Sequence, residues 1–161
     1  MNSIQPNRPL TILLADDDTD DCIFFQSAVD EFAMPCKITI VNDGEQLMHF
    51  LNKESNGLPD VLFLDINMPR KNGFECLEEI KLSEKLKSLI VIMFSTSLEQ
   101  EVVNQLYNSG AKYFVRKPSE FSQFKKIIQQ TLVLISKGNT PQPTRENFVL
   151  TLNEEPANKE N

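Results

Sequence analysis

Four apolar residues, Val61-Leu62-Phe63-Leu64, run without interruption into Asp65, and Asn67-Met68-Pro69 follows at once. A short apolar run with no polar alternation suits a strand covered on both faces, as in a parallel sheet. Pro69 lacks the N–H that a ladder needs, so the strand is expected to stop near Asp65. Asp65 then stands at a carboxyl-terminal strand end, where open α/β sheets place their ligands. A lone Asp there serves more often as a helix cap or turn residue, so its meaning depends on what else reaches that edge.

The same grammar recurs along the chain. Leu10 to Ala15 is a second apolar run and ends in Asp16-Asp17-Asp18. A helix is expected from Asp18 as N-cap to about Phe32, with Asp20 and Asp21 in its first turn facing the positive end of the dipole. Cys36 to Val41 reads as a strand, Glu45 to about Lys53 as a helix, and Ser55 to Pro59 as a loop into the central strand. A helix carrying Phe74, Leu77, Ile80 and Leu82 follows Lys71-Asn72-Gly73. Leu89 to Phe94 is the most apolar run and reads as a buried strand closed by Ser95-Thr96-Ser97. Leu98 to Asn108 is expected to be helical, Ala111 to Val115 a fifth strand ending in Arg116-Lys117-Pro118, and Ser119 to Ser136 the last helix, with Phe121, Phe124, Ile128 and Ile135 on one stripe. Strand and helix alternating five times imply a doubly wound parallel α/β sheet with right-handed crossovers.

Residues 1–9, polar with Pro6 and Pro9, read as a flexible arm, and 137–161 as a mostly disordered tail. Phe148 to Leu152 is the apolar exception in that tail, with packing back on the domain, docking elsewhere and disorder all open.

Composition narrows the function classes. A net charge of −7 argues against a broad nucleic-acid surface and against an anionic membrane, and it suits a cation site. No apolar run approaches a membrane span, and the first residues lack the pattern of a secretory signal. The three cysteines, Cys22, Cys36 and Cys76, form no C-x-x-C and read as small apolar residues in a reducing cytoplasm. His49 has no partner at zinc-ligand spacing. Asp16, Asp18 and Asp20 imitate the start of an EF-hand, but Asp21 stands where its Gly belongs and Ser27 where its Glu belongs.

In a parallel sheet every strand ends on one edge, so Asp16, Asp17, Asp65, Ser95 and Lys117 are expected to converge. Three carboxylates repel one another unless a cation neutralises them, and a hard divalent ion, chiefly Mg²⁺, suits oxygen ligands. Ser95 and Lys117 add donors for phosphoryl oxygens. The chemistry indicated is phosphoryl transfer with an Asp as nucleophile or acceptor. The chain has no G-x-x-x-x-G-K-[ST] loop, so the phosphodonor is expected from outside.

The runs LLADDDTDD, LFLDINMPRKNGFE, IMFSTS and YFVRKP resemble the receiver domain of two-component response regulators, typified by the chemotaxis protein CheY. The likeness covers residues 10 to about 136, and five matched positions in order make it specific. It implies the flavodoxin-like strand order 2-1-3-4-5 with helices on both faces; the roughly 25 residues after the last helix are too few for a helix-turn-helix module, so a single-domain receiver without a DNA-binding output module is expected. The likeness further implies Asp65 as phosphoacceptor, Asp17 as a direct Mg²⁺ ligand, Asp16 acting largely through water, and Asn67 ligating through its backbone carbonyl. Ser95 would bond the new phosphoryl group and Lys117 neutralise it, across a cis Lys117–Pro118 bond. Phe114 falls at the switch aromatic, and Asn67 and Ser97 at positions that modulate hydrolysis. Implied partners are a sensor histidine kinase or phosphotransfer protein and a downstream protein target, with Phe24 and Phe25 on the first helix as donor contacts or as aromatics tucked under a neighbouring helix. Nothing in the residues indicates or excludes a phosphorylation-dependent dimer.

Two other classes share parts of this pattern. A haloacid-dehalogenase-like phosphohydrolase also uses a strand-end Asp, a Ser or Thr, a Lys and Mg²⁺. Its D-x-D-x-[TV] motif is not met, because Asp20 stands in Asp16-Asp17-Asp18-Thr19-Asp20 where Thr or Val belongs. A degenerate receiver acting as a constitutive binding module would not need the intact five-position set.

Overall fold

The computed structural model describes residues 8–138 and 140–152 of the 161-residue chain. Its elements, in order, are β1 (Leu10–Ala15), α1 (Thr19–Asp30), β2 (Cys36–Val41), α2 (Gly44–Asn52), β3 (Val61–Leu64), α3 (Gly73–Leu82), β4 (Val91–Ser95), α4 (Gln100–Asn108), β5 (Tyr113–Arg116), α5 (Phe121–Ser136) and β6 (Val149–Leu150). The strands form one parallel sheet in the order β2-β1-β3-β4-β5-β6.

The unbroken apolar runs are explained by burial on both faces. Leu62 and Leu64 of β3 enter a core with Leu77, Ile80 and Val103, while Val61 and Phe63 enter a second core with Phe25 and Ile128. Helices α1 and α5 pack together on the second face. There Phe25, Phe63, Phe94 and Phe124 meet edge-to-face with centroids 4.8 to 6.2 Å apart, an arrangement the ring quadrupoles favour.

Local signals start the helices where the sequence suggests. Asp18 caps α1 by accepting the Asp21 N–H at 3.0 Å, and Asp43 caps α2 by accepting the Gln46 N–H at 2.8 Å. Asn72 and Glu75 form a reciprocal capping box on α3. Strand ends are set by the ladder rather than by composition, so β4 and β5 begin about two residues later than the apolar runs do.

One expectation is corrected, and one open question answered, near the carboxyl end of the described residues. The sheet has six strands, not five, and within residues 140–152 the chain packs on the domain, one of the alternatives open for Phe148 to Leu152. After α5 the chain turns through Gly138 at φ 111°, a left-handed conformation that glycine adopts without strain. The segment 140–152 then straps across α4 and β5. Gln142 Nε2 donates to the Tyr107 and Ala111 carbonyls at 2.9 and 2.7 Å, and the Tyr107 hydroxyl donates to the Pro143 carbonyl at 2.8 Å. Arg145 bonds Asn104 and Gln100 of α4, and Lys112 Nζ donates to the Thr140 carbonyl. Phe148, 0% exposed, packs on Tyr107 and Phe114, and its carbonyl accepts the Phe114 N–H at 3.0 Å. The expected disorder of residues 153–161 and the expected arm at 1–7 lie outside the described residues. Arg8 is tied to Asp60 by paired contacts of 2.9 and 3.1 Å.

Candidate functional site at the carboxyl edge of the sheet

The edge where β1, β3, β4 and β5 end gathers the groups expected there. Asp16 follows β1 and is fully buried; its N–H donates to the Val41 carbonyl at 3.0 Å, which fixes the turn out of the strand. Asp65 follows β3, 6% exposed, and its N–H donates to the Ala15 carbonyl at 3.0 Å. Asp17 is exposed. Carboxylate oxygens of Asp16, Asp17 and Asp65 all lie within 4.8 Å of one another. Ser95 ends β4, buried, and its hydroxyl accepts the Ser97 N–H at 3.3 Å. Its carbonyl accepts the Lys117 N–H at 2.8 Å, so β4 and β5 carry Ser95 and Lys117 to the same rim.

Lys117 Nζ reaches into the carboxylates: 2.8 Å from Asp16 Oδ2, 2.8 Å from Asp21 Oδ2 and 3.6 Å from Asp65 Oδ1. Burial pushes the Asp65 carboxyl up to about 7, with Lys117 pulling the other way and Asp16 adding to the rise. Burial likewise raises Asp16 against the pull of Lys117. Burial disfavours the charge on Lys117, but Asp65 and Asp16 outweigh it and hold the ammonium above its ordinary range.

The site fits a hard cation on its own geometry. Asp16 Oδ2 is buried, and the cation facing it is the Lys117 ammonium at 2.8 Å. One ammonium does not balance three clustered carboxylates, and their oxygens within 4.8 Å of one another are ligand positions for a divalent ion.

The family comparison decides what this edge belongs to. Residues 12–129 match the model of the response regulator receiver domain. The chain belongs to the receiver family. Receiver domains are switch proteins of two-component signalling rather than enzymes in the usual sense, and they bind a divalent metal. They engage histidine kinases or phosphotransfer proteins and downstream targets.

Similar receivers include the response regulator Rcp1 of Synechocystis, 29% identical over 131 residues, covering 79% of this chain and 89% of Rcp1. A probable methanogenesis regulatory protein, FilR2, of Methanothrix harundinacea is 25% identical over 130 residues, covering 79% of this chain and 84% of the relative. Among solved structures, the phosphorylated cyanobacterial phytochrome response regulator RcpA superposes with a TM-score of 0.77 at 27% identity, covering 84% of this chain and all of that one. The Mn²⁺-bound form of Rcp1 gives 0.76 at 27% identity, with the same coverage.

Two details of this receiver differ from expectation, and a third was open between two readings. No peptide bond among the described residues is cis, so the expected cis Lys117–Pro118 is corrected to trans. X–Pro bonds favour trans by about 0.5–1 kcal/mol, and Lys117 reaches the carboxylates from that form through its long side chain and ion pairs. On α1, Phe25 is buried and Phe24 tucks against Phe121 and Phe124, centroids 4.8 and 5.5 Å away. The apolar side chain that α1 presents to solvent is Ile23, 58% exposed.

The other difference is Asp21, expected to serve the helix dipole, which from the first turn of α1 also hydrogen-bonds Lys117. A signal for it was present: Asp21, Phe25 and Ala28 share the i, i+4, i+7 stripe that α1 turns towards the sheet. Asn67, two residues beyond Asp65, is exposed at the same rim, and Phe114 sits inside the core beneath the strap.

Proposed function

We propose that this receiver accepts a phosphoryl group on Asp65 from a phosphohistidine of a sensor histidine kinase or phosphotransfer protein, in the cytoplasm, and passes the signal on through protein contacts. The observation that carries the reading is the convergence of Asp16, Asp17 and Asp65 within 4.8 Å, with Lys117 3.6 Å from the Asp65 carboxylate.

An Asp65 carboxylate oxygen attacks phosphorus in line, the N–P bond breaks, and the electron pair leaves with the imidazole, which takes a proton from solvent. Asp65 Oδ1 already accepts the Ile66 N–H at 2.8 Å, which leaves Oδ2 to attack. Asp16, Asp17, Asp65 and the Asn67 carbonyl would hold Mg²⁺, whose charge supplies relief of repulsion between carboxylate and phosphodonor. Lys117 neutralises the added charge, and the Ser95 hydroxyl, held only by a long 3.3 Å bond, turns to donate to a phosphoryl oxygen. That movement opens space beside Phe114. Because Phe148 packs on Phe114, rotation of Phe114 is felt by the strap over α4 and β5, where target contacts would change.

Intact mass after exposure to acetyl phosphate with Mg²⁺ tests the reading. One Mg²⁺-dependent phosphoryl adduct, absent from Asp65→Asn, is expected. No adduct and no phosphate release would indicate a binding module, and turnover of a generic phosphate ester a hydrolase. Either result would overturn the reading.

A further inference from the structure

Lys117 is served by three carboxylates, and they are not equivalent. Asp16 and Asp65 belong to the trio that can hold a cation; Asp21 does not. Nζ lies 2.8 Å from Asp21 Oδ2, the same distance as from Asp16 Oδ2. The contact to Asp65 is longer, at 3.6 Å.

Asp21 is itself held. Its N–H is bonded by the Asp18 cap, and its half-buried side chain rises from the first turn of α1 beside the mouth of the site. The Lys117 ammonium also lies 5.2 Å from the centre of the Phe94 ring. A divalent ion among Asp16, Asp17 and Asp65 would repel Lys117 and draw two of its three partners away. The one partner left with its full charge for Lys117 is Asp21.

We propose that Asp21 is the positioning residue that keeps Lys117 aimed at Asp65 while the cation and the phosphoryl group engage the other carboxylates. The inference rests on the receiver reading and deepens it. Without Asp21, Lys117 settles on Asp16 and Asp65, where it competes with the cation, and no anchor holds it towards the phosphoryl oxygens. Asp18 then has a second task besides capping, because it fixes the turn from which Asp21 reaches across.

The test uses the full chain, Mg²⁺ and beryllofluoride as the phosphoryl mimic. Asp21→Asn is nearly isosteric; Asp20→Asn makes the same change of charge at the exposed neighbouring position. Loss of one charge-assisted hydrogen bond corresponds to a weakening of about tenfold in apparent beryllofluoride affinity. That weakening is expected for Asp21→Asn, with Asp20→Asn within about twofold of the parent.

The second readout is the ¹⁵N signal of the Lys117 ammonium in the Mg²⁺–beryllofluoride complex. It is expected to be protected from solvent exchange in the parent and in Asp20→Asn, and lost in Asp21→Asn. An Asp21→Asn protein that keeps both the affinity and the signal overturns this inference and leaves the receiver reading standing. Equal losses in the two variants reduce the effect to net charge and also overturn it. A parent protein that takes neither phosphate nor beryllofluoride overturns both.

Discussion

Truncating Phe148 separates the strap from the rest of the domain. The ring is fully buried against Phe114 and Tyr107. A phenylalanine buries about 150–250 Å², worth roughly 4–6 kcal/mol at about 25 cal/mol per Å². Core Phe→Ala changes cost about 3–5 kcal/mol, in the same range. The strap, however, is joined to the fold chiefly by one ring, a two-residue strand and side-chain hydrogen bonds from Gln142, Tyr107, Lys112, Arg145 and Gln130. Phe148→Ala is therefore expected to release it locally before the domain unfolds. The loss in global stability is then capped at the docking energy of the strap, below about 3 kcal/mol. Hydrogen exchange read residue by residue checks this. The Phe114 N–H, whose acceptor is the Phe148 carbonyl, should exchange about a hundredfold faster or more, while the Leu62 and Asp65 N–H groups, bonded to Ile90 and Ala15, exchange at rates set by the remaining core. An unchanged Phe114 rate, or equal acceleration at all three sites, would refute the argument.

Three further outcomes follow from the geometry. With its pKa raised to about 7, Asp65 favours folding while protonated, so the metal-free protein should lose stability as pH rises from about 4 through 7. Asp65→Asn should be more stable than the parent at pH 8 without divalent ions in thermal melts, and Mg²⁺ should narrow the gap by stabilising the parent alone. A Cβ on Gly73 would lie 2.3 Å from the Asp65 carbonyl oxygen and 2.8 Å from Ile66 Cα, so Gly73→Ala should cost about 1–3 kcal/mol in urea denaturation and slow acetyl-phosphate labelling by displacing the acceptor. Asp43→Ala removes the cap of α2 and should cost about 1 kcal/mol, little changed by high salt, because the exposed Arg70 partner at 3.4 Å contributes weakly.

The parallel sheet and its working edge were legible because both rest on long-lived regularities. Buried strands such as Val61–Leu64 cannot afford polar residues, and a parallel sheet must bring Asp16, Asp65, Ser95 and Lys117 to one side. What escaped depends on short pieces and on pairings across the chain. A two-residue strand such as Val149–Leu150 has no periodicity to detect, and Phe148 looks like a stray apolar residue until its cavity beside Phe114 and Tyr107 is known. Asp21 satisfies the rule for first-turn acids so well that its bond to Lys117, 96 positions away, had no need to be inferred. Phe24 and Phe25 could not both face the core by helical geometry alone; the neighbouring helix α5, with Phe121 and Phe124, supplies the cover.

The docked strap also changes what the rim of the sheet offers to other chains. An open β5 would present a row of unpaired backbone groups beside Phe114, a template for strand addition. β6 occupies that row, and at two residues it is too short to extend the template further. Among the described residues the other edge of the sheet is β2, where the exposed Lys37 places a charge within the strand. Strand-mediated self-association of this receiver would start from β2, some four strands from Phe114, unless the strap lets go.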